Sequence, residues 1–249
     1  MDLSWLTRRP IAHRGRHGAD LGLVENTLGA ARAAMTRDHA IECDVILSAD
    51  GEAMVFHDDT LDRLTTASGR TSERTAAALA GLDLVGTLER IPTLGELLAT
   101  VGGRVGIVVE IKSTFPRRPD ERLVRRVAEV LAGYGGPIAT KSFDPDVVAA
   151  ANRLMPAIPH GIVADRMGDK QACLRFSAPE RFALAHLLHA PRSKPKFVSW
   201  NVADLPALAP WAARRFFHLP VITWTVRSRE QADFALAHAD QIVYEGFEA

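Results

Sequence analysis

Cysteine is nearly absent from this 249-residue chain; Cys43 and Cys173 are the only two. Two cysteines make no disulfide framework, so stability must come from a buried core. Cys43 sits between charged neighbours on a strand-like run and is expected to face a packed helix as a buried structural thiol. No stretch approaches the roughly 20 apolar residues of a membrane helix. The start, Met1–Pro10, has no apolar run of signal-peptide length. The expected address is therefore the cytoplasm, with no stable membrane anchor. Net charge is absent too: 30 basic residues balance 30 acidic ones. That balance excludes a nucleic-acid binder working through bulk electrostatics but leaves room for a local anion site. There is no Gly-rich phosphate turn, because Gly102-Gly103 precedes a strand rather than following one.

What the chain has is alternation. Short β-rich runs (Pro10–His13, Ala40–Leu47, Val105–Lys112, Pro137–Phe143, Ile158–Val163, Phe197–Trp200, Val221–Val226, Gln241–Tyr244) alternate with helix-like runs rich in Ala and Leu. The helical candidates are Leu28–Asp38, Leu94–Val101, Glu121–Ala132, Pro145–Leu154, Pro179–Leu188, Leu205–Arg215 and Arg229–His238. Thr27, Asp144-Pro145 and Ser228 supply helix-start signals. Eight strands and seven helices without a linker or low-complexity segment read as one α/β domain over residues 1–249 with a parallel sheet. Closure into a TIM (β/α)8 barrel fits count and length; an open doubly wound sheet is the structural alternative. Ala53–His57 reads as an extra strand, followed over 58–90 by a long insertion loop with a short helix near Ser72–Leu82. Little sequence follows Tyr244, so the eighth helix is expected to be absent or replaced by the N-terminal segment Asp2–Thr7.

Two histidines and three carboxylates sit where strands ought to end. His13 opens His13-Arg14-Gly15, Glu42 and Asp44 flank Cys43, His57 precedes Asp58, and Glu110 stands two residues before Lys112. Strand side chains alternate, so Glu42 shares a face with Asp44, and Glu110 with Lys112. Each pair is embedded in apolar sequence, where an unpartnered carboxylate is too costly to keep. In a parallel barrel such groups gather at the carboxyl rim. Three oxygen ligands, with no Cys and no obvious His among them, favour one hard divalent cation, Mg²⁺ or Ca²⁺. Arg14 and Lys112 offset the negative charge and offer donors to an anionic substrate oxygen. Singly, each motif is a common feature of half-exposed strands, and Glu110-Lys112 is a simple ion pair. Jointly and in order, they point to chemistry.

The succession Ile11-Ala12-His13-Arg14-Gly15, Glu25-Asn26-Thr27, Ile41-Glu42-Cys43-Asp44-Val45, Ser48-Ala49-Asp50-Gly51, Val55-Phe56-His57-Asp58 and Leu61-Asp62-Arg63-Leu64-Thr65 resembles the glycerophosphodiester phosphodiesterase family. Ile91-Pro92-Thr93-Leu94, Glu110-Ile111-Lys112, Ser142-Phe143-Asp144 and Trp224-Thr225-Val226 extend the resemblance over most of the chain. It implies a TIM barrel, a divalent metal on Glu42, Asp44 and Glu110, acid–base histidines at His13 and His57, and phosphate contacts from Arg14 and Lys112. Val24 stands where proline is usual before Glu25, and Ile242–Phe247 lacks the usual Thr-Asp ending. The expected reaction is hydrolysis of a glycerophosphodiester to glycerol 3-phosphate and an alcohol, either through a cyclic phosphate or by direct attack of water.

Trp224, at the end of the seventh candidate strand, is a candidate apolar wall for the substrate; Trp200 has a weaker claim. His17 is read as a solvated loop residue. His39, His160, His186, His189, His218 and His238 fall in helical or loop sequence without ligand spacing, and His186 and His189 read as helix-surface residues. Arg214-Arg215-Phe216-Phe217 reads as a helix end with two buried aromatics rather than an interfacial patch. The rivals are a catalytically silent barrel that binds phospholipid head groups or a protein partner, and a lysophospholipase D-type activity on lysolipids. The leaving alcohol, the metal, the identity of acid and base, and the oligomeric state stay open.

Overall fold

The computed structural model describes residues 3–113, 120–168, 173 and 176–249. Helix α1 (Ser4–Arg8) opens the chain, and strand β1 (Ile11–Ala12) follows. The chain divides into two compact units, one of them Ile11–Lys112 with Asp120–Ile138, and the other holding α1 and Ala139–Ala249. Asp2, at the start of the expected N-terminal segment, lies outside the described residues.

The first unit is built on one long strand. After helix α2 (Leu28–Met35), β2 (Ala40–Leu47) runs parallel to β1, with Ile11 opposite Ala40. Val45 to Leu47 take on β3 (Ala53–Val55) antiparallel, so the extra strand expected at Ala53–His57 is real but ends at Val55. Helices α3 (Ala76–Ala80) and α4 (Leu94–Val101) come next, then β4 (Ile107–Ile111) and α5 (Glu121–Leu131). Strand β4 lies parallel to β2 with Asp44 opposite Glu110. Strands β2 and β4 are buried almost throughout, as the near-continuous apolar runs of a sheet covered on both faces require. Helix α4 begins with a full capping box: Thr93 Oγ1 accepts from the Glu96 amide, and the Glu96 carboxylate accepts from the Thr93 amide at 2.7 Å.

The segment read as an insertion loop over 58–90 is better ordered than a loop. Leu61, Leu79 and Leu84 bury themselves with Ile46, Met54, Phe56 and Ile91 in a small core of their own. Full burial of such a side chain stabilises by about 1.5–3 kcal/mol, enough to fix a segment with little regular structure. Its helix is shorter than expected, a 3₁₀ turn at Thr71–Glu73 followed by α3.

The second unit holds five parallel strands paired in sequence order: β5 (Ile138–Ser142, its first residue contributed by the first unit), β6 (His160–Ala164), β7 (Phe197–Asn201), β8 (Val221–Val226) and β9 (Gln241–Tyr244). Between them run α6 (Pro145–Leu154), α7 (Ala178–Ala185), α8 (Ala190–Ser193), α9 (Leu208–Phe216) and α10 (Arg229–His238). Helix α1 takes the place of a helix after β9: Leu6 is fully buried, and Gln241 Nε2 donates to the Thr7 carbonyl at 3.0 Å.

Three expectations need correction here. His160 is not in a helix or loop; it opens β6, fully buried, between the Thr140 hydroxyl at 2.7 Å and the Met155 carbonyl at 2.9 Å. His189 is not on a helix surface. Burial holds its imidazole down at about 4, and its Nδ1 lies 2.9 Å from Ser193 Oγ. Phe216 and Phe217 are not buried; they are 61% and 70% exposed, because α9 ends there and turns Pro210 and Ala213 inward instead. Both cysteines are buried and form no disulfide. Among the described residues, no helix is long and apolar enough to cross a membrane.

Candidate active site

Seven of the eight predicted site residues belong to the first unit: His13, Arg14, Glu42, Asp44, His57, Glu110 and Lys112. Strand pairing does the assembly. Glu42 and Asp44 share one face of β2, and the register sets Glu110 of β4 directly beside Asp44. The result is a buried group in which one carboxylate oxygen each from Glu42, Asp44 and Glu110 lie within 4.8 Å of one another.

Such a group needs cations. Lys112 Nζ lies 2.5 Å from Glu110 Oε1 and 2.8 Å from Asp44 Oδ1. Arg14 approaches from the other side, its Nε 3.1 Å from Asp44 Oδ2 and its backbone amide donating to Glu42 Oε2 at 3.1 Å. Burial alone would raise the Asp44 carboxyl; Lys112 and Arg14, helped by His57 and His13, outweigh it and hold Asp44 well below the usual carboxylate range. The converse holds for Lys112. Burial would lower its ammonium, but Glu110 and Asp44 raise it above its ordinary value. Asp44 and Lys112 therefore stay ionised against each other.

The turn that carries His13 and Arg14 is tightly held. Arg14 adopts φ +57° and Gly15 φ +79°. A Cβ on Gly15 would come within 2.8 Å of the Ala30 backbone, so only glycine lets this turn sit against α2. Asn26, also left-handed at φ +59°, accepts from the Asp44 amide at 3.1 Å and donates to Asp44 Oδ2 at 3.0 Å. Its own amide donates to the Arg14 carbonyl at 2.8 Å, tying the turn to β2. Thr27 then caps α2 through Ala30 N.

Sequence reasoning assigned no role to Glu25, Asn26, Asp58 or Arg63. Glu25 Oε1 accepts from Arg14 Nη1 at 2.6 Å, and Asp58 Oδ1 lies 2.7 Å from His57 Nδ1. The available signal was their presence in the motifs Glu25-Asn26-Thr27, His57-Asp58 and Leu61-Asp62-Arg63. Trp224, the eighth predicted residue, belongs to the second unit. There its indole donates to the Ser199 carbonyl at 2.9 Å, and its ring stands edge-on to Phe143 with centroids 5.5 Å apart.

Residues 13–240 match the Glycerophosphoryl diester phosphodiesterase family. The chain belongs to that family. A glycerophosphodiester phosphodiesterase of Caldanaerobacter subterraneus is 31% identical over 165 residues, 61% of this chain and 65% of that protein. YhdW of Bacillus subtilis is likewise 31% identical over 163 residues, 61% of this chain and 64% of its own length. The matched segments thus span slightly less than two thirds of these relatives. An Oleispira antarctica phosphodiesterase, solved in complex with the product sn-glycerol-3-phosphate, superposes over 95% of this chain and 92% of its own with a TM-score of 0.78 at 22% identity. That likeness shows the fold, the (β/α)8 barrel of this family.

Proposed function

We propose that this family member hydrolyses glycerophosphodiesters to glycerol 3-phosphate and an alcohol, with one divalent cation on Glu42, Asp44 and Glu110. The observation that carries the reading is the carboxylate cluster with Lys112 and Arg14 set against it. The donors fit a hard ion: all are carboxylate oxygens, and they converge within one coordination sphere. Mg²⁺ and Ca²⁺ both suit that set. When bound, the ion would draw charge from a non-bridging phosphate oxygen and sharpen the phosphorus as an electrophile.

The remaining work falls to side chains. Arg14 and Lys112 bind and orient the phosphate, one as a planar fork and the other as a point charge. His13 takes the proton of the nucleophile and His57 protonates the departing alcohol, together supplying roughly 10²–10⁴-fold. The glycerol hydroxyl next to the phosphate is a ready nucleophile, since intramolecular placement offers about 7–11 kcal/mol when aligned. Its attack forms a cyclic phosphate that water then opens. The bound product in the Oleispira antarctica relative supports glycerol 3-phosphate as the released species.

Phosphorus NMR of the purified protein with glycerophosphocholine and lysophosphatidylcholine, with and without EDTA, tests this. The expected result is EDTA-sensitive release of glycerol 3-phosphate from the former. Binding without turnover would replace the enzyme by a head-group binder, and turnover of the lysolipid alone would move the substrate class. His13→Asn and His57→Asn should each lower turnover by about 10²-fold or more with metal content unchanged; wild-type rates in both would remove their roles.

A further inference from the structure

We propose that Arg63, presented by the insertion after β3, is a positioning residue that fixes Arg14 and His57 at once by clamping Glu25 and Asp58; this rests on the reading above. One guanidinium makes four short bonds. Its Nε and Nη2 donate to Asp58 Oδ2 and Oδ1 at 2.6 and 3.0 Å, and its Nη1 and Nη2 donate to Glu25 Oε2 and Oε1 at 2.9 and 2.7 Å. The two carboxylates it grips are those that touch the working groups: Glu25 Oε1 holds Arg14 Nη1, and Asp58 Oδ1 holds His57 Nδ1. The chain of contacts therefore runs Arg14, Glu25, Arg63, Asp58, His57, with basic and acidic side chains in turn.

Each link has a chemical consequence. Arg63 and His57 outweigh the effect of burial and hold Asp58 low, so its carboxylate only accepts hydrogen bonds. His57 must then carry its proton on Nδ1, which leaves Nε2 as the nitrogen for proton transfer. At the other end, Glu25 fixes the Arg14 fork in one plane. A carboxylate held by a bidentate arginine has little freedom to swing, so both ends inherit their orientation from Arg63. The residue itself is well founded. Leu61 is fully buried, its amide donates to the Gly69 carbonyl, and the Thr71 amide donates to the Asp59 carbonyl. Arg63 is nonetheless 47% exposed, so a small cation could reach its place. The insertion thus delivers one fork-shaped donor to two acids.

Arg63→Lys and Arg63→Ala, assayed with glycerophosphocholine and saturating Mg²⁺, test the role. Both are expected to lose kcat on the order of 10²-fold, the cost of misplaced groups. Methylguanidinium should restore at least about tenfold to Arg63→Ala and nothing to Asp58→Asn, a response that loss of fold alone would not give. Full activity in Arg63→Lys, or no rescue of Arg63→Ala, would overturn the proposal. Imidazole ¹⁵N NMR gives a readout independent of turnover: His57 should carry its proton on Nδ1 in the parent and populate both tautomers in Arg63→Ala. An unchanged His57 signal in that variant would also overturn it. If the parent hydrolyses no glycerophosphodiester, the functional reading fails while the NMR comparison still decides the clamp.

Discussion

Replacing Glu42 by Gln is expected to make the metal-free protein more stable and the metal-bound protein less so. Three carboxylates within 4.8 Å of one another repel when all carry charge, and a charged pair at that distance costs about 3 kcal/mol at an effective dielectric of 20. Lys112 pairs with Asp44 and Glu110, whereas Glu42 is met by the Arg14 amide and the more distant field of its guanidinium. A glutamine keeps the bond to that amide through its own carbonyl. It removes the repulsion and forfeits part of the attraction to Arg14, for a net gain near 1 kcal/mol, or about 2–4 °C in Tm for a chain of this size. Added Mg²⁺ or Ca²⁺ at 100 times its Kd should stabilise the parent by about 2.7 kcal/mol and the variant by far less. Differential scanning calorimetry in EDTA and in excess metal reads both arms. A variant that melts below the parent in EDTA and shifts with metal as the parent does would refute the assignment of these acids to an ion. Lys112→Met should behave oppositely, melting lower in EDTA and gaining more from the metal.

Other expectations are independent of the site's chemistry or only border on it. Burial holds the His160 imidazole at about 4 against an ordinary 6.5, so its neutral form is favoured by folding. Stability is intact above pH 6.5, falls as the unfolded chain takes up a proton the fold refuses, and has lost about 3 kcal/mol near pH 4; urea titrations of His160→Gln should show a flatter profile, and parallel profiles would sink this account. Gly161→Ala would drive a Cβ into the fully buried Phe197 ring and should destabilise by about 1–3 kcal/mol through overpacking, read from the denaturation midpoint. Asn26→Ala removes both bonds to Asp44 and should cost about 1–3 kcal/mol and weaken metal binding by isothermal titration calorimetry; unchanged affinity would deny that Asn26 fixes the Asp44 carboxylate.

Much of the architecture was legible because its signals are local. Ala40–Leu47 announces a buried strand by its apolar flanks, and Thr27, Asp144 and Ser228 announce helix starts; all stand as expected. The acids and bases were legible because charges inside apolar strands have few explanations. What stayed hidden depends on packing between distant segments. Nothing near Arg63 in sequence reveals that its fork spans Glu25, 38 residues away. His160 lies within the candidate strand Ile158–Val163, yet nothing in the sequence shows it buried; only its bonds to Thr140 and Met155 explain that. Phe216 and Phe217 were misread for the opposite reason: aromatic identity suggests a core, whereas the helix phase turns them outward.

The pairing of Asp44 with Glu110 bears on how the chain finds its native alignment. Strands buried on both faces offer almost no oil-and-water contrast to tell one alignment from its neighbour. Sliding β4 by a single position past β2 would turn Glu110 to the opposite face and strand it away from Lys112 and Asp44, a misalignment punished by an unneutralised charge in a greasy interior. The acids that equip the molecule for chemistry thereby double as its alignment key.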